Sequence, residues 1–175
     1  MLDRLFHPSI NVRATRYLGA LARCSCHRCG REMVAIGIAL EAGHQMRIDD
    51  GARGGVGPLG GVWRTVRSPA WLFDVEYLPR RVRVRLQRLS PGYRLAERPT
   101  TGGHRWLNHC PHCGAVQDDD DLHGEPDVAF MPFSLSAAER IELRAIDGSF
   151  VAAIGGHCDD PPLFGAMRRT GRAPT

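Results

Sequence analysis

The sequence predicts an α+β fold: a small antiparallel sheet with one or two short helices, organised by two cysteine knuckles that a long insertion separates. Three observations predict it. The stretches Cys26–Gly30 and Cys110–Gly114 each hold two cysteines, two residues between them, and a glycine directly after. Short apolar runs rich in β-branched residues flank both. The 20 glycines and 12 prolines in 175 residues require many turns and irregular connections. That length suits one compact domain, expected over 1–158, with a loosely held polar tail over 159–175.

Residues 12–23 place Val12, Tyr17, Leu18, Leu21 and Ala22 at near-helical spacing, which predicts a short helix or turn before the first knuckle. The run "REMVAIGIAL" after it reads as a buried strand. Seven glycines and one proline between Gly43 and Gly61 predict a flexible Gly-rich loop over 43–61. Strands are expected at "VWRTV" and "WLFDVEYLP". In "PRRVRVRLQRLSPGY" both periodicities fit, but Pro79 at the start and Pro91-Gly92 at the end favour a helix with its arginines on one exposed side. "HRWLNHC" and "GAVQ" read as strands entering and leaving the second knuckle. Beyond them "VAFMPF" reads as a strand, Ser136 with Glu139 has capping-box spacing for a short helix, and "SFVAAIG" as a last strand.

The cysteines carry the clearest chemistry. The amino terminus lacks the long apolar run of a secretion signal, and no stretch reaches the roughly 20 apolar residues of a membrane helix. A cytoplasmic protein without membrane contact is the expectation. In that reducing compartment two CxxC pairs point to a metal rather than to disulfides. Four thiolates around one tetrahedral zinc make a closed, structural site, so Cys26, Cys29, Cys110 and Cys113 are the expected ligands of a single Zn2+, with Cys24 of "CSCHRC" as the alternative to Cys26. Glycine after each second cysteine accepts the positive φ of the turn. The 80 residues between Cys29 and Cys110 are no obstacle, because loop-closure cost grows only logarithmically with length.

All 23 basic residues are arginine. Arg64, Arg67, Arg80, Arg81, Arg83, Arg85 and Arg88, with Trp63 and Trp71 beside them, form the candidate binding surface for nucleic acid or an acidic protein. The run Asp118–Asp121 reads as a solvated loop, with a second metal as its alternative. The preferred function is a zinc-stabilised, non-enzymatic adaptor. The competing reading is an enzyme with a His/carboxylate site near His123 and Glu125, for which no nucleophile or phosphate loop can be named.

The segment from Thr100 to Phe130 resembles an uncharacterised bacterial zinc-ribbon-like family whose motif is close to NHCxHCGxxQ, followed by LHxEPxxAF. Asn108, His109, Cys110, His112, Cys113, Gly114, Gln117, Leu122, His123, Glu125, Pro126, Ala129 and Phe130 carry the resemblance, together with "CHRCGREMVAI" at the first knuckle. Asp118 stands where that family has glycine, and Asp120 and Asp121 where it has aromatics. Some members lie behind a domain associated with mobile-element primases. The resemblance implies the zinc site and names no activity.

Overall fold

The computed structural model describes residues 9–48, 61–99, 102–124 and 126–171. Its architecture is mixed α/β, with a mostly antiparallel sheet and few helices. Strands β1 (Val12–Ser25), β2 (Glu32–Leu40), β3 (Gln45–Ile48), β4 (Val62–Thr65) and β5 (Ala70–Tyr77) precede helix α1 (Arg80–Leu89). Strands β6 (Arg94–Glu97), β7 (His104–His109) and β8 (Val116–Gln117) follow, then α2 (Asp119–His123) and α3 (Leu135–Ala138), strand β9 (Glu142–Asp159), a 3-10 turn at Phe164–Ala166 and β10 (Arg168–Thr170).

The larger sheet has seven strands in the order β10-β9-β5-β2-β1-β3-β4, and an additional β9–β1 pairing closes β1, β2, β5 and β9 into a circuit. All its pairings are antiparallel except β10 with β9. Closure needs bent strands. The 14-residue β1 and 18-residue β9 bend at a register shift between Ala14 and Arg16, and β5 bends against β9 between Val75 and Tyr77. A second sheet of three strands, β6-β7-β8, shares no strand ladder with it and packs against it through Tyr93 and Trp106.

Residues 12–23 are thus a strand, not a helix. Their apparent helical spacing arises because both faces of β1 are buried. Tyr17 packs with Ile36, Ile38, Phe150 and helix α1 through Val82 and Leu86. Leu18, Ala20 and Ala22 pack on the other face with Trp71, Phe130 and Phe164. A strand covered on both faces loses its polar-apolar alternation, and the sequence then offers no period of two. The sheet is correspondingly larger than the small one expected.

Four further expectations are corrected. Residues 45–48, placed in the flexible loop, pair with β4, while 49–60 lie outside the described residues. "VAFMPF" forms turns rather than a strand, and its Phe130 is fully buried against Trp71, with ring centroids 5.3 Å apart. A Cβ on Gly37 would stand 3.3 Å from the Phe130 ring, so the bare backbone of β2 lets that ring lie on the sheet. The segment from 159 is anchored through Thr170: Phe164 and Met167 are buried, β10 extends the sheet, and Arg169 reaches the Glu41 carboxylate at 2.7 Å. Helix α3 is capped by Ser134, whose hydroxyl accepts from the Ala137 N–H, rather than by Ser136. Helix α1 forms where Pro79 and Pro91-Gly92 bracket it.

Candidate metal centre

Each knuckle is the tip of an antiparallel hairpin. The first joins β1 to β2, closing with Ser25 opposite Glu32; the second joins β7 to β8, closing with His109 opposite Val116. The two tips are built alike. Cys26 N–H donates to the Arg31 carbonyl and Gly30 N–H to the Cys26 carbonyl, both at 2.9 Å. Cys110 N–H donates to Ala115 and Gly114 N–H to Cys110, again at 2.9 Å. Gly30 and Gly114 take φ of 68° and 72°, the left-handed turn that glycine adopts without strain.

The hairpins face each other so that the Sγ atoms of Cys26, Cys29, Cys110 and Cys113 all lie within 4.8 Å of one another. The cross-hairpin distances are 3.7 Å for Cys26 to Cys113 and 3.8 Å for Cys29 to Cys110. Four sulfurs at about 2.3 Å from a tetrahedral ion stand about 3.8 Å apart, whereas a disulfide is about 2.0 Å. The set is therefore positioned to hold a metal ion in a closed, structural site. Cys24, half-buried on β1, lies outside that set, and burial raises its thiol pKa.

The electrostatics suit a cation. The Cys29 N–H lowers the Cys26 pKa to about 6 against the opposing effect of burial, with the Arg28 N–H assisting. At Cys113 the Ala115 N–H favours the thiolate, but burial and the neighbouring sulfurs outweigh it and raise the pKa to about 11. Four sulfurs without a cation resist sharing more negative charge. A divalent ion reverses that resistance.

Polar residues of the second hairpin fix it to the first. Asn108 accepts from the Ile36 N–H at 2.8 Å and donates to the Ile36 carbonyl at 2.9 Å, imitating a strand partner where β5 has not yet joined β2. Gln117, opposite Asn108 in register, accepts from the His27 N–H at 3.1 Å and directs its NH2 at the Cys26 sulfur at 3.5 Å. His112 donates from Nε2 to the Glu32 carbonyl, and His109 from Nδ1 to the Gly92 carbonyl, each at 3.0 Å. Asn108 and Gln117 carry the family resemblance but were not chosen as site residues from sequence. Gln117→Ala should weaken metal affinity about 10- to 100-fold, read by chelator competition, because it removes a donor to a ligand sulfur.

The aspartate run is not a solvated loop. Asp118 begins α2, and the three acids after it occupy the helix's first turn, where the dipole favours negative charge. Buried Arg98 binds Asp118, Asp74 and Asp120 at 3.0, 2.7 and 2.8 Å. Asp119 accepts from the Asp74 N–H at 2.7 Å, yet burial drives its pKa up to about 7, with the Asp74 and Asp118 charges adding to the rise. Folded Asp119 keeps its proton where the unfolded chain has lost it. Stability should therefore fall as pH rises from about 4 to about 7, by a few kcal/mol at most. Asp119→Asn should flatten that slope in pH-dependent melting.

His123 stacks on Phe130 at 5.1 Å and meets Trp71 and Phe73 at 5.9 and 5.7 Å; burial lowers its pKa to about 4. It is a neutral packing imidazole, and Glu125 lies outside the described residues. Of the candidate binding arginines, Arg80, Arg81, Arg83 and Arg88 are exposed on α1, and Arg85 is half-buried with its guanidinium on the Asp147 carbonyl. Arg64 lies on β4 and Arg67 just after it, both exposed. Trp71 is fully buried, and the Arg13 guanidinium lies 4.3 Å from the Trp63 ring centroid. Among the described residues no helix is long and apolar enough to cross a membrane.

No family model, curated protein or solved structure matches this chain.

Proposed function

We propose that the chain is a zinc-stabilised, non-enzymatic adaptor that receives an acidic protein partner on an arginine-rich surface. The composition of α1 carries this reading. Arg80 and Arg81 occupy the first turn, where the helix dipole disfavours cations by about 0.3–1 kcal/mol, and no acidic residue offsets them anywhere in the helix. Four of its arginines are exposed, and an acidic partner supplies the missing countercharge. Nucleic acid is the weaker reading, because Trp71 is in the core and Arg13 covers a face of Trp63, so neither is free to stack on bases. An enzyme would need His123 to exchange a proton near neutral pH, which its aromatic surroundings oppose.

Four thiolates suit zinc or iron, and similarity to the zinc-ribbon-like family favours zinc. Metal analysis should give one zinc per chain and no visible absorbance. For the partner, fluorescence anisotropy with labelled polyglutamate and with a thymidine oligonucleotide separates the readings. Polyglutamate should bind and be displaced by salt, and Arg80→Ser with Arg83→Ser should weaken it about tenfold, roughly the loss of two exposed charge pairs. Tighter binding of the oligonucleotide, lost in the same variant, would transfer the function to nucleic acid.

A further inference from the structure

The last residues of β1 have a strand partner on one side only. Ala22–Ser25 pair with β2, from Ala22 opposite Ala35 to Ser25 opposite Glu32, whereas the β9 ladder stops at Leu21 opposite Glu142. The hydrogen bond from Cys26 N–H to Arg31 sets the alternation: Ala22 and Cys24 present their backbone groups to β2. The N–H and C=O of Arg23 and Ser25 point the other way, with no backbone partner among the described residues. An unpaired edge is a template for another strand.

This edge lies in a trough, not on a convex rim. Two adjoining cavities of about 590 and 560 Å³ share Ala22, Arg23 and Arg140. One end carries five arginines against Glu139 and Glu142, over an aliphatic floor of Leu21, Val34 and Leu89. There Glu142 accepts from Arg144 Nε at 2.5 Å and from Arg168 Nη2 at 3.1 Å, which orients both guanidinium groups. Arg88 and Arg140 have no carboxylate partner among the described residues, and Arg88 belongs to α1, so the basic helix face leads into the trough. The opposite end carries His27, Asp121 and Asp127.

We propose that the trough is a strand-addition site for an extended acidic segment of a partner protein, which pairs its backbone with Arg23 and Ser25 and lays its carboxylates against Arg88 and Arg140. This rests on the adaptor reading and supplies its binding mode. Main-chain pairing gives affinity, and the alternating side chains of the added strand select its sequence. Aliphatic residues of the segment meet the Leu21 and Leu89 floor, and a cationic residue suits the aspartate end. A second copy of the chain fits poorly, because its own β1 edge is equally recessed.

The test uses the metal-loaded full chain and a labelled eight-residue peptide of alternating valine and glutamate with lysine at one end, made in both directions. Two further versions carry N-methyl groups on one or the other alternate set of amides, which removes donors without changing charge. One methylated set should bind about tenfold more weakly than the parent and the other nearly as well. Arg23→Pro, which removes an outward N–H, should weaken the parent peptide similarly, with metal content and melting retained. Equal binding of both methylated peptides would overturn strand addition while leaving the adaptor reading intact. Absence of binding by both the peptide and polyglutamate would remove both. A concentration-dependent dimer that Arg23→Pro abolishes would assign the edge to a second copy instead.

Discussion

Replacing Cys110 with serine should release the metal and lower the melting temperature by tens of degrees. Cys110 is buried, and its sulfur faces Cys29 across the two hairpins, so the hydroxyl that replaces it is a poor ligand in a closed site. The site joins hairpins 80 residues apart in sequence, and one of them belongs to the small sheet. Binding free energy at structural zinc sites in peptides is about 10–16 kcal/mol, comparable with or larger than the whole net stability of a typical domain, about 5–15 kcal/mol. Losing it should loosen the tips of the two hairpins even where the closed circuit survives, because Tyr93 and Trp106 still pack in the main core. Mass spectrometry of the purified variant and circular dichroism melts read both effects. Cys24→Ser is the control: outside the four-sulfur set, it should leave metal content unchanged. A Cys110→Ser protein with a full metal complement and normal melting would refute the four-thiolate site.

The parts legible in the sequence are those whose physics is local. A CxxCG turn needs its glycine and its two sulfurs within five residues, so both knuckles could be read directly, and with them the strand that leaves the first and the two that flank the second. Helix α1 fits both periodicities in the sequence, and only the prolines that bracket it favoured the helix that forms. What was not legible depends on residues far apart. β1 looked helical because packing on its second face comes from Phe130 and Phe164, more than 100 residues away. The aspartates looked solvated because their countercharge, Arg98, lies 20 residues upstream of Asp118. Trp71 looked like a surface aromatic beside arginines, and burial by α2, the loop after it and the 3-10 turn takes it out of reach. The NHCxHCGxxQ resemblance pointed at Asn108 and Gln117 without a reason. Their bonds to Ile36, His27 and the Cys26 sulfur supply one: they hold the two knuckles together.

Arg98→Ala should cost about 3–5 kcal/mol, the usual penalty for leaving a buried charge without its partner, and lower the melting temperature by about 10 °C. The Asp118 side chain is only 8% exposed, as is that of Arg98, and Nε contacts both its carboxylate oxygens at 3.0 Å. Asp120, at 75% exposed, can instead be solvated, so Asp120→Asn should cost less than about 1 kcal/mol. The difference between those two variants measures how much of the cluster's weight is burial rather than charge count. Arg98→Lys should rescue little, since one ammonium cannot hold Asp74, Asp118 and Asp120 from a planar fork. Pairing Arg98→Met with Asp118→Asn should recover part of the loss, because the stranded carboxylate is then gone. The metal should remain bound in all of these, since the cluster fixes α2 to β5 and touches no cysteine. Retained metal with reduced melting would separate the two fastenings of the second hairpin. Loss of metal in Arg98→Ala would mean that the closed sulfur site depends on the ion-pair cluster for its geometry.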